Sequence, residues 1–173
     1  MNPRSRQPPR QRAPRGSDMP ALQVEVVVAD RRPWAPSAKR LALWAAAAAG
    51  ARGRHGELAI RIVGKRESRR LNAQWRSKDY ATNVLSFPAE GVPAVVRPRP
   101  LGDLVICAPV VAAEAEEQGK TQAAHWAHMV VHGVLHLLGH DHEHDAEAER
   151  MERLERRLLA GLGFADPYAG EHP

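Results

Sequence analysis

The segment HGVLHLLGHDH, from His132 to His142, places four histidines in eleven residues and constrains the chain more than any other stretch. His132 and His136 are four apart in a run of helical periodicity, so both rings emerge from one face about a turn apart, as a shared metal ion requires. Gly139 follows three residues later. A glycine there can enter the left-handed conformation that ends a helix and turns the chain sharply, which would bring His142 back toward the first two rings. The spacing therefore predicts one metal ion held by His132, His136 and His142, with one coordination position open. Three imidazoles and an exchangeable water favour a single zinc ion, although nickel, cobalt or copper would accept the same ligands. A purely structural zinc would want a fourth protein ligand, and Cys107 is the only thiol in the chain.

Other histidines lie nearby. His128, His132 and His136 form an i, i+4, i+8 row, but its outer members would stand about 12 Å apart along a straight helix, too far for one ion. His128 is therefore expected to support a ligand or to pack beside one, and Asp141 is a second residue placed to assist. His140 follows the glycine directly and would point away from the ion if His142 points toward it. A hydrolytic zinc helix of the HExxHxxGxxH kind carries a glutamate base after its first histidine. Here that position is Gly133, which argues against peptide hydrolysis.

A chain of 173 residues with mean hydropathy of −0.46 fits one globular domain with a real core. Residues 1–18 hold five arginines, one aspartate and several prolines, a composition that predicts a disordered basic tail before a domain spanning 19–173. The longest apolar run, Leu41 to Ala51, falls short of the roughly 20 residues of a membrane helix, so no membrane is expected. The lone Cys107 has no disulfide partner within the chain and suits a reducing, cytoplasmic setting.

Strands are predicted at Leu22 to Ala29, Glu57 to Val63, Val84 to Phe87 and Asp103 to Cys107. Helices are predicted from Pro36 to Ala49, Lys65 to Trp75, Pro109 to Gln118, Thr121 to Leu138 and Asp145 to Leu162, the last with Met151, Leu154, Leu158 and Leu162 as its buried stripe. GVPAVVRPRP reads as an exposed loop. The fold class is α+β, a mixed sheet of about four strands with several helices.

Between Arg52 and Lys78 nine basic residues face two acidic ones, Glu57 and Glu67, a balance suited to tracking a phosphate backbone. Arg76 has the sharper chemical case, because a guanidinium can hold a phosphate bidentately and stabilise charge during phosphoryl transfer. Tyr80 can stack on an unpaired base, and the stretch Thr82 to Ser86 reads as a strand bordering the cleft.

The run HMVVHGVLHLLGHDH, with WRSKDYATNVLSFP and LGDLVIC, closely resembles the YbeY family, bacterial endoribonucleases of ribosomal RNA maturation. The resemblance covers the chain from about residue 20 to FADPY. It implies a zincin-like α+β domain, one metal on His132, His136 and His142, a functional arginine at Arg76, and cleavage of single-stranded RNA. It also implies 16S rRNA 3′-end maturation and ribosome quality control, with ribosomal RNA, the small ribosomal subunit and its assembly factors as partners. Lys78, Tyr80 and Ser86 are then expected to contact substrate. RNA brings its own nucleophile, the 2′-hydroxyl, which offers one route around the missing glutamate; metal-bound hydroxide, aided by Asp141 or His140, is the other. Two further readings remain, a metal-dependent hydrolase of another substrate and a zinc-stabilised, non-catalytic ribosome assembly factor.

Overall fold

The computed structural model describes residues 22–30, 33–53, 55–140 and 145–169. The basic tail, Asp141 and His142 lie outside the described residues. In chain order the elements are β1 (Gln23–Val28), α1 (Ala38–Ala49), β2 (Gly56–Val63), α2 (Lys65–Arg76), β3 (Val84–Pro88), β4 (Arg99–Cys107), α3 (Ala108–Glu117), α4 (Gln122–Leu137) and α5 (Asp145–Gly161). A short 3-10 turn, Gly50–Gly53, follows α1.

The strands form one mixed sheet in the order β1-β2-β4-β3. β1, β2 and β4 run parallel, and β3 pairs antiparallel with β4 at the edge. The α+β class and the four strands agree with the expectation from sequence. β4 is longer than expected. It begins at Arg99, inside the segment read as a loop, because Arg99 lies in register with Gly56 at the start of β2. Pro100, which lacks an N–H, sits beside the register shift between Glu57 and Leu58.

Alternation along β2 sets the two faces of the sheet. Leu58, Ile60 and Ile62 point to the main core, where they join Leu41, Trp44 and Ala45 of α1 and Trp126, Val130 and Val134 of α4. On the other face Val63, Leu85, Val105 and Cys107 form a smaller cluster with Leu71 of α2. Arg61 and Val27 on that second face remain exposed.

α4 is the central helix. Thr121 caps its start, with Oγ1 accepting from the Ala124 N–H at 3.2 Å. Its buried side chains include Trp126, Val130, Val131 and Leu135, and burying a leucine of that kind stabilises the fold by about 1.5–3 kcal/mol. Among the described residues no helix is long and apolar enough to cross a membrane.

Candidate active site

The end of α4 is built as its glycine requires. Gly139 has φ +87°, its N–H donates to the His136 carbonyl at 2.9 Å, and the His140 N–H reaches back to the Leu135 carbonyl at 3.0 Å. These paired bonds form a Schellman motif, which satisfies the last carbonyls while reversing the chain. The turn therefore sits immediately after the two histidines that the helix presents together.

His132 and His136 meet face to edge, their rings 4.6 Å apart between centroids and their Nε2 atoms 3.1 Å apart. The other nitrogen of His132 is committed elsewhere. Its Nδ1 lies 2.7 Å from Oε1 of Glu155 on α5, a carboxylate only 1% exposed. Tyr168 donates its hydroxyl to the other oxygen of Glu155, and His128 Nε2 stands 3.6 Å from the same atom and 3.3 Å from the Tyr168 hydroxyl. Burial pushes the Glu155 carboxyl up, but contacts with His128, His132 and Tyr168 outweigh it and hold the group far below the usual carboxylate range.

A carboxylate only accepts, so the proton of His132 belongs on Nδ1 and Nε2 presents a lone pair. Two Nε2 atoms 3.1 Å apart match the separation of nitrogens each about 2.0–2.1 Å from one ion. This donor set fits a transition metal on the cleft side of the two rings. His128, His132 and Glu155 also form a buried group whose ligand atoms lie within 4.8 Å of one another and that could hold a metal ion. With its proton on Nδ1, His132 has no lone pair to offer an ion on the Glu155 side, so we read that group as the hydrogen-bonded support of His132.

Gly133 accounts for the missing glutamate. A Cβ at that position would stand 2.7 Å from Leu104 Cδ2 and 3.3 Å from Val84 Cγ2, because α4 lies directly against β3 and β4 there. The position faces the sheet rather than the cleft, and Ser86 Oγ ties the same contact by donating to the Gly133 carbonyl at 3.2 Å. A longer side chain would be forced into the core.

His132 and His136 line a cleft of about 610 Å³ together with Arg76, Lys78, Tyr80, Ser86 and His140. Arg76, the last residue of α2, donates from Nη2 to the Ser86 carbonyl at 3.1 Å and leaves its other donors toward solvent. That single tether aims the guanidinium along the β3 edge. His140, expected to point away from the ion if His142 points toward it, is among the residues lining this cleft. His128 lies outside the cleft lining and is buried against Glu155 and Tyr168. The placements of His142 and Asp141 fall outside the described residues.

Glu155 and Tyr168 escaped the reading from sequence. The most buried row of α5 is Met151, Glu155 and Leu159, with Leu154, Leu158 and Leu162 only partly buried. The expected stripe was thus offset. A glutamate spaced i+4 and i−4 from two buried apolar residues was the signal available.

Residues 29–163 match the family described as Endoribonuclease YbeY. The chain belongs to the YbeY family. Curated YbeY relatives include one from Xanthomonas axonopodis pv. citri, 59% identical over 154 residues, covering 87% of this chain and 96% of that protein. Another, from Alkalilimnicola ehrlichii, is 60% identical over 157 residues, covering 88% and 94%. Both carry the name Endoribonuclease YbeY. A solution structure of a Thermotoga maritima protein shares this fold, with a TM-score of 0.52 at 22% identity over 84% of this chain and 98% of that one.

Proposed function

We propose that this chain is a metal-dependent endoribonuclease that cuts single-stranded ribosomal RNA, with 16S rRNA 3′-end maturation and ribosome quality control as its setting. The observation that carries this reading is the cleft in which the Arg76 guanidinium shares one wall system with the paired Nε2 atoms of His132 and His136. Membership of a family whose relatives are named endoribonucleases supports the same substrate class.

His132, His136 and His142 would hold one metal ion, zinc by preference for three imidazoles. When bound, the ion supplies Lewis acidity toward a phosphoryl oxygen. Arg76 holds the scissile phosphate and stabilises the charge that grows on it. Lys78 adds a second cation at the rim, Tyr80 stacks against an unpaired base, and Ser86 shapes the floor while its hydroxyl hydrogen remains on the Gly133 carbonyl. Glu155 is a positioning residue: it fixes the proton of His132 on Nδ1, and Tyr168 and His128 hold Glu155 in turn. Domain 19–173 would carry the activity, with the basic tail 1–18 outside it.

The test measures metal content and cleavage of a labelled single-stranded rRNA 3′-end oligonucleotide for wild type, His136→Ala and Arg76→Ala. The reading expects one equivalent of metal in wild type and its loss in His136→Ala. Arg76→Ala should keep its metal and lose about 10²–10³-fold in rate, the usual cost of deleting one charge-stabilising donor. Equal cutting by all three proteins would instead favour a metal-stabilised assembly factor without catalysis.

A further inference from the structure

Loop 77–83, between α2 and β3, is held more firmly than its exposure suggests. Ser68 Oγ donates to the Thr82 carbonyl at 2.8 Å and accepts from the Thr82 N–H at 3.0 Å. Asn72 Nδ2 donates to the Tyr80 carbonyl at 2.8 Å. Both anchoring side chains are buried, at 1% and 2% exposure, and the Arg69 guanidinium adds a bidentate pair to Asp79, both contacts at 2.7 Å. The backbone under Tyr80 is therefore fixed on α2, yet the Tyr80 side chain contributes little to any core and is 54% exposed.

Tyr80 stands between two cavities. One is the histidine cleft. The other is an open hollow of about 660 Å³ lined by Lys65, Arg66, Arg69, Arg70, Asp79 and Tyr80 itself, and Tyr80 is the residue common to both linings. Arg69 and Arg70 are paired with Asp79 and Glu67. Among the described residues Lys65 and Arg66 are in no ion pair, and both line the hollow.

We infer that one flank of the RNA strand leaves the cleft over the Tyr80 ring and lays its phosphates on the α2 shelf at Lys65 and Arg66. This rests on the endoribonuclease reading above and adds a binding site beyond the cleft. The occupant is a single strand, because an exposed, rigidly mounted ring between a reaction cleft and a cationic shelf matches an unstacked base followed by its phosphates. A duplex offers no free base face to Tyr80.

The shelf predicts a length dependence that a general positive field would not produce. Binding is measured by anisotropy with labelled 2′-O-methyl oligouridylates of about 4 and about 16 nucleotides, lengths that bracket common single-strand site sizes. Cleavage of the unmodified longer strand is followed in parallel. The double variant Lys65→Glu/Arg66→Glu should bind the long strand about tenfold more weakly and the short one within about twofold. Its log–log salt slope should flatten by about 1.4, the value for two single-strand phosphates. Tyr80→Ala should also weaken the long strand about tenfold, and Tyr80→Phe should restore it.

Equal weakening of short and long strands by the charge reversal would overturn the shelf, as would no weakening of either. Lys65→Gln/Arg66→Gln, which removes the charges without reversing them, guards against a folding defect and should show half or more of the logarithmic effect. Wild type that binds and cuts RNA while all these variants match it overturns the shelf alone. Wild type that neither binds nor cuts overturns the nuclease reading itself.

Discussion

α4 carries two histidine–carboxylate pairs of the same length that have different chemical prospects. His125 Nε2 lies 2.7 Å from Glu114 on α3, and His132 Nδ1 lies 2.7 Å from Glu155 on α5. In the first pair the histidine is sealed while Glu114 keeps an exposed edge. His125 is 3% exposed, and its Nδ1 is buried with no hydrogen-bond partner among the described residues. Glu114 also accepts from Asn83 Nδ2, at 3.2 and 3.0 Å to its two oxygens, which clamps α3, α4 and the entrance to β3 together. The second pair leaves the far nitrogen of its histidine on a cleft opposite another imidazole. A carboxylate bond thus orients a histidine in both places, but only His132 brings its second nitrogen to a cleft beside another imidazole, the arrangement a metal ion could use.

The sharpest way to break this contrast is to neutralise each carboxylate in turn. Glu155→Gln should weaken metal binding about 10–100-fold, the usual cost of losing the partner that orients a ligand histidine. Competition with a chelator of known affinity measures this without reference to activity. Glu114→Ala should leave metal affinity within about twofold, since it acts on a different contact set. A matching loss in both variants would erase the distinction between the two pairs.

Stability should respond in another pattern. Gly133→Ala should destabilise the fold by about 1–3 kcal/mol, because the added Cβ meets Leu104 at 2.7 Å. Urea denaturation reads it, and a neutral result would mean that α4 and the sheet separate easily at that contact. Glu114→Ala should cost about 1–3 kcal/mol at neutral pH, as it strips partners from buried His125 and from Asn83. Thr121→Ala, which removes the α4 cap, should cost about 1 kcal/mol.

The smallest effect is the pH dependence of the His125–Glu114 pair. Burial pushes the Glu114 carboxyl up, yet the bonds from His125 and Asn83 and the charges of His125 and His128 outweigh it, so its value lies below the ordinary 4.5. A depressed folded value means that the contribution is complete above the unfolded value and is lost as pH falls through the folded one. The stability gap between wild type and Glu114→Ala should therefore hold from neutral pH down to about 4.5 and narrow below it. A gap that widens on acidification would contradict the assignment of Glu114 as a carboxylate acceptor.

Much of this architecture was legible in sequence, and the reason is locality. Alternation in ELAIRIV and the 3.6-residue period of AHWAHMVVHGVLHL depend on neighbours a few positions away, so β2 and α4 fell within a residue or two of their predicted bounds. β4 began earlier than expected because its first residues owe their strand conformation to pairing with β2, more than 40 residues distant in the chain. The α5 stripe was misread for a related reason: a glutamate on its most buried row is tolerable only when His132, His128 and Tyr168 converge on it.

Sequence by itself determined that His132 and His136 share a helical face and that Gly139 ends that helix, since both follow from backbone geometry over a single turn. It also determined that the residue after His132 is no general base. Only the tertiary structure decided which carboxylate orients His132, why Gly133 has no room for a side chain, and that Arg76 from α2 reaches the same cleft as the histidines of α4. Those contacts join segments 23 to 60 positions apart, and no local pattern encodes them because their energy arises from packing that exists only once the sheet and its helices have assembled.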